Sequence, residues 1–130
     1  MKVLQPPDWA KPKGYSNGIA ARGQLVFTSG MIGWNAACEF ETDDFAQQVK
    51  QALENIVAVL LEAGGKPAHL VRLTWYITDK TEYLENVADL GAVYRAVIGR
   101  HYPVMSVIEV SGLLEPRAKV EIEATAVIPD

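Results

Sequence analysis

The chain has 130 residues, 49% of them hydrophobic and 22% charged, with a formal net charge of -4. That length fits one domain spanning residues 1–130, and that composition excludes a disordered chain. A single cysteine excludes an internal disulfide framework, a pI near 5.2 argues against a basic nucleic-acid footprint, and no apolar run reaches the roughly 18 residues that span a bilayer.

The opening MKVLQPPDWAKPKG has no apolar signal-peptide core, so a soluble cytoplasmic protein is expected. Pro6, Pro7 and Pro12 keep the chain irregular up to Asn17. Leu25–Ser29 is β-branched and aromatic, ends at Gly30 and predicts a strand. Gly18–Arg22 is expected to pair with it as a hairpin turning near Arg22-Gly23. A helix follows, with Thr42 or Asp43 as N-cap. Its apolar stripe is Phe45, Val49, Leu53, Ile56, Val57, Leu60 and Leu61, at three- and four-residue steps. Gly64-Gly65 and Pro67 end it.

Leu70–Thr78 reads as a central strand. Asp79 and Glu82 resemble a capping box opening a second helix, whose stripe runs from Tyr83 through Val87, Leu90, Val93, Tyr94 and Val97 to Ile98. Val104–Val110 and Lys119–Ile128 are the last strands. The order β-β-α-β-α-β-β predicts an α+β sandwich with both helices on one face of a mixed sheet. Apolar residues on both sides of Leu70–Thr78 predict an exposed apolar sheet face, and hence a homo-oligomer joined through it.

Chemistry-bearing residues are few. His69 and His101 have no metal-ligand spacing, and Cys38 lacks a neighbouring His or second Cys, so no metal site or thiol nucleophile is expected. No phosphate-binding glycine loop is present. Glu121 and Glu123 alternate on the last strand and share one face. They are either ion-paired at a subunit seam, for example with Arg72, or a general base in a cleft. Ser29-Gly30 closes a strand where a hydroxyl and an N–H can face a ligand. Met31, Trp34, Trp75 and Met105 are core, interface or ligand-platform candidates.

Gly14-Tyr15-Ser16-Asn17-Gly18, Phe27-Thr28-Ser29-Gly30-Met31-Ile32, the stretch Pro103–Val110 and Lys119-Val120-Glu121-Ile122-Glu123-Ala124 together resemble the RidA/YjgF family. The resemblance covers about Tyr15 to Val127. It implies a chorismate-mutase-like fold, a homotrimer and a small-molecule cleft at each subunit boundary. It also implies hydrolysis of reactive enamines and imines without metal or cofactor. Under it, Tyr15 lines the cleft, Ser29 and Gly30 contact the substrate, and Glu121 positions the attacking water. Met31, Trp34 and Met105 make the cleft more apolar. Family deaminases carry an Arg two residues after the Pro, where this chain has Met105. Arg72 and Arg117 are the candidates to replace it, and the departure leaves three readings. They are a deaminase with altered substrate or weakened activity, a non-catalytic small-molecule binder, and an endoribonuclease or translation inhibitor, the last disfavoured by the acidic pI.

Overall fold

The structure is a computed structural model describing residues 1–130. The sheet has the order β3-β7-β5-β6, with β4 also on β7. These strands are β3 (Gln24–Phe27), β4 (Met31–Ile32), β5 (Leu70–Ile77), β6 (Val104–Glu109) and β7 (Val120–Ile128). β5 and β6 run parallel; the pairings of β7 are antiparallel. Three helices, α1 (Phe45–Glu62), α2 (Lys80–Glu85) and α3 (Val87–Val97), accompany this mixed sheet. The expected α+β arrangement is therefore present.

The core explains the packing. Phe45, Val49, Leu53, Ile56 and Leu60 of α1 are buried against Leu73, Trp75 and Ile77 of β5 and against Val120, Ile122, Ala124 and Ala126 of β7. Helical period on one side and alternation on the other place these residues on facing surfaces. Gln48 is the one polar side chain buried among them. Its Nε2 donates to Thr42 O (3.1 Å) and Arg117 O (3.0 Å), and its Oε1 accepts from Lys119 N at 2.9 Å. These bonds tie the start of α1 to the entry of β7.

Several expectations need correction. Residues 18–20 form β2 (Gly18–Ala20), which pairs with β1 (Lys2–Leu4) and not with β3. Gly23 explains why no hairpin turns there. A Cβ on Gly23 would lie 2.0 Å from Ile128 O, and its φ of +143° suits this close approach to the end of β7. The N-terminal segment is irregular only after Leu4, because the prolines begin at Pro6. The N-cap of α1 is Asp44, whose carboxylate accepts from Gln47 N; Thr42 Oγ1 accepts from Asp44 N instead.

The second predicted helix is two, broken at Asn86. There the side-chain amide donates to Glu82 O at 2.7 Å, a local bond that competes with helix continuation. Only half of the Asp79–Glu82 box forms. Asp79 accepts from Glu82 N, while the Glu82 carboxylate pairs with Lys119 at 3.0 Å. A register shift between Leu70 and Arg72 carries Leu70 into the core. The open sheet face is consequently mixed, with Arg72, Thr74, Tyr76, Glu121 and Glu123 central and exposed Phe27 and Ile108 on the strands that border them.

Candidate active site

The expected site residues fall into two groups on opposite faces of the sheet. Ser29, Gly30 and Glu121 form the first. Thr28 continues the β3–β7 ladder, its N–H donating to Ala124 O (3.0 Å) and its Oγ1 accepting from Ala124 N (3.1 Å). Thr28 Oγ1 also donates to Ser29 O at 2.9 Å, fixing the turn. Glu121 then lies against Gly30 so closely that a Cβ there would meet its Cδ and Oε2 at 2.6 Å. The Glu121 carboxylate makes no hydrogen bond or ion pair in the chain, whereas Glu123 accepts from Tyr76 O–H at 3.0 Å. Beside Glu123, the Tyr76 hydroxyl is held above its ordinary pKa, first by that bond.

Tyr15 and Met105 form the second group. The loop carrying Tyr15 turns at Gly14, whose φ is +78°. It is strapped down by Ser16, whose N–H donates to Pro103 O (3.2 Å) and whose Oγ donates to Tyr102 O (2.5 Å). Met105 pairs with Leu73 in the ladder and packs against the core, so it shares the helix-covered side of the sheet. β5 lies between its strand and β7. Tyr15 and Met105 border a cavity of about 390 Å³, with Trp75, Tyr83, Tyr94 and Tyr102 among its walls. Glu121, Ser29 and Gly30 do not border it. One chain thus holds these candidate residues in two separate groups.

The other candidates lie elsewhere. The Trp34 ring packs on Phe40 at 6.0 Å, and its carbonyl accepts from Asn55; it borders neither cavity that contains Met105. Arg117 is engaged by Asp43 at 2.9 Å and lies 5.3 Å above the Phe40 ring. Arg72 forms no ion pair with Glu123 or any other carboxylate in the chain. It borders a smaller cavity, about 330 Å³, that also touches Tyr15, Met105 and Ser106. His101 Nε2 bonds to Leu70 O, and His69 Nδ1 accepts from Lys66 N. Glu109 accepts from Lys80 N at the start of α2.

Among the residues of this cavity that the sequence did not single out are its two cations, Lys13 and Arg95. Gly91 and Arg95 are four apart on α3, the spacing that puts side chains on one helix face. That signal was present, but what the face would meet was not. Burial pushes the Tyr83 and Tyr94 hydroxyls above the ordinary tyrosine range.

The match to known proteins covers almost all of this arrangement. The family model described as Endoribonuclease L-PSP matches residues 8–128. The chain belongs to this family, which is the RidA/YjgF family. The 2-iminobutanoate/2-iminopropanoate deaminase of Salmonella typhimurium is 34% identical over 108 residues, 81% of this chain and 80% of that protein. The Rid-family protein YyfB from Yersinia pestis superposes with a TM-score of 0.86 at 30% identity, covering 98% of each chain. TdcF of E. coli, solved with bound serine, gives a TM-score of 0.69 at 31% identity and covers 98% of this chain and 99% of its own. The fold is accordingly the chorismate-mutase-like α+β fold of RidA/YjgF proteins. No helix is long and apolar enough to cross a membrane.

Proposed function

We propose that this protein hydrolyses small reactive 2-imino acids and their enamine tautomers to 2-keto acids and ammonia, at clefts between subunits of a homotrimer. The observation that carries this reading is the uncommitted carboxylate of Glu121 laid over Gly30. Water adds its oxygen to C2 of the protonated imine while Glu121 takes one of the water's protons. The carbinolamine then collapses: Glu121 returns its proton to nitrogen, the C2–N bond breaks and ammonia leaves. The regenerated Glu121 carboxylate takes the hydroxyl proton as the carbonyl forms and passes it on to the departing ammonia as ammonium. Gly30 lies against this carboxylate, and the Ser29 hydroxyl and Gly30 N–H hold the substrate beside it. A neighbouring subunit's Tyr15–Met105 cavity completes the cleft. The names of the relatives support the same chemistry.

Met105 favours a second reading, a small-molecule binder without turnover, because a thioether offers no hydrogen bonds to a substrate carboxylate. One experiment separates the two. An amino-acid oxidase generates imines in place, and ammonia and keto-acid release is followed against semicarbazide trapping. The hydrolase accelerates release, and Glu121→Ala lowers the rate about a hundredfold or more with fold and oligomer size unchanged. Absence of acceleration across alanine-, leucine- and phenylalanine-derived imines would overturn the hydrolase.

A further inference from the structure

We infer that Arg95 of α3 is the anion anchor of this cleft, and that its cavity selects carboxylates with an aromatic or large branched body. The inference rests on the 2-imino-acid reading above and names its substrate class more narrowly. Lys13 and Arg95 are the only charged residues that border the large cavity, and both are cationic. No carboxylate borders it. Arg95 makes no ion pair and no side-chain hydrogen bond, so its guanidinium donors are unclaimed within the chain.

Gly91 provides the room for that guanidinium. A Cβ built on Gly91 would stand 3.1 Å from Arg95 Nη1, closer than a side chain settles without displacing its neighbour. The guanidinium therefore lies back over the helix at a residue that also borders the cavity. The remaining wall is apolar and aromatic, with Trp75, Tyr83, Tyr94 and Met105. Tyr94 is fixed in place, stacked on Tyr102 at 5.6 Å and donating to His101 O at 2.6 Å. A volume of about 390 Å³ is within the range that small-molecule sites occupy and ample for a benzyl-sized body. Arg72 is the weaker candidate for the same task, because its cavity is smaller and its guanidinium also borders a space containing Glu123.

The test is direct binding, measured by titration calorimetry with stable keto acids. Phenylpyruvate binds at least tenfold more tightly than pyruvate. Its methyl ester, with the same body and no charge, binds at least tenfold more weakly than the acid. Arg95→Ala loses more than tenfold in phenylpyruvate affinity at unchanged melting temperature, as expected for lost hydrogen bonds to a charged group. Arg95→Lys recovers part of the loss. Arg72→Ala stays within twofold of the parent. Equal affinity for the two acids, or a loss confined to Arg72→Ala, would overturn the inference. Imine hydrolysis indifferent to body size and to Arg95→Ala would also overturn it while the hydrolase stands. Arg95-dependent phenylpyruvate binding without any imine turnover would instead sink the hydrolase and leave the anchor in place.

Discussion

At Gly30 the missing side chain is what lets the Glu121 carboxylate lie across the backbone. Gly30→Ala puts a methyl where Glu121 Cδ, Oε2 and Cγ now sit, at 2.6 to 2.7 Å. The carboxylate is the flexible partner, so it swings away and the backbone stays. Gly30 is exposed and its φ is outside the left-handed region, so the stability cost is small. Misplacing a catalytic group by about 1 Å costs about a hundredfold in rate. Gly30→Ala should therefore lower imine hydrolysis by that order while urea midpoints move little. Added to Glu121→Ala it should cost nothing more, since both changes act on one carboxylate. Additive losses would mean that Gly30 acts through its own N–H instead.

Among the elements, the join between α1 and β7 depends on Gln48. Its buried amide satisfies two carbonyls and one N–H at the half-buried edge of the core, and Lys119 N–H has no other partner. Gln48→Leu preserves bulk but leaves these groups unpaired, at about 1–3 kcal/mol for a buried group. We expect a total loss near 3 kcal/mol in urea unfolding with the slope unchanged; a loss under about 0.5 kcal/mol would show that water replaces the amide.

The same helix shows what sequence reveals. Its apolar stripe was legible because period and burial agree at Phe45, Val49, Leu53, Ile56 and Leu60, whereas Val57 is half-buried and Leu61, expected in the stripe, is exposed where the helix ends. β7 was legible because strict alternation sends Ile122 and Ala124 inward and leaves Glu121 and Glu123 on the open face. β1 was not legible: three exposed residues carry no alternation, and their partners lie 14 to 18 positions away. The break at Asn86 was hidden because Tyr83, Leu90 and Tyr94 keep helical spacing across it. Arg95 was hidden for a different reason. Its meaning depends on the space between α3 and β6, which only the packed fold defines.

At the scale of the whole molecule, Tyr15 and Met105 share no cavity with Ser29, Gly30 and Glu121 within one chain. Met105 sits on the helix-covered side of β6, Glu121 on the open side of β7, and β5 lies between these strands. On the proposed function, a cleft that uses both draws them from different subunits, and the oligomer is the catalytic unit. Genetic mixing tests this. Tyr15→Ala and Glu121→Ala should each be inactive as pure oligomers. Co-assembled in equal amounts, they form some clefts that take Tyr15 from a Glu121→Ala subunit and Glu121 from a Tyr15→Ala subunit. Each choice has even odds, so about a quarter of clefts are intact and about a quarter of parental activity returns. Mixing the two after assembly, without subunit exchange, should restore nothing. If co-assembly also restores nothing while size measurements show mixed oligomers, then each chain builds its site from its own residues. The proposed subunit-boundary cleft would then be excluded.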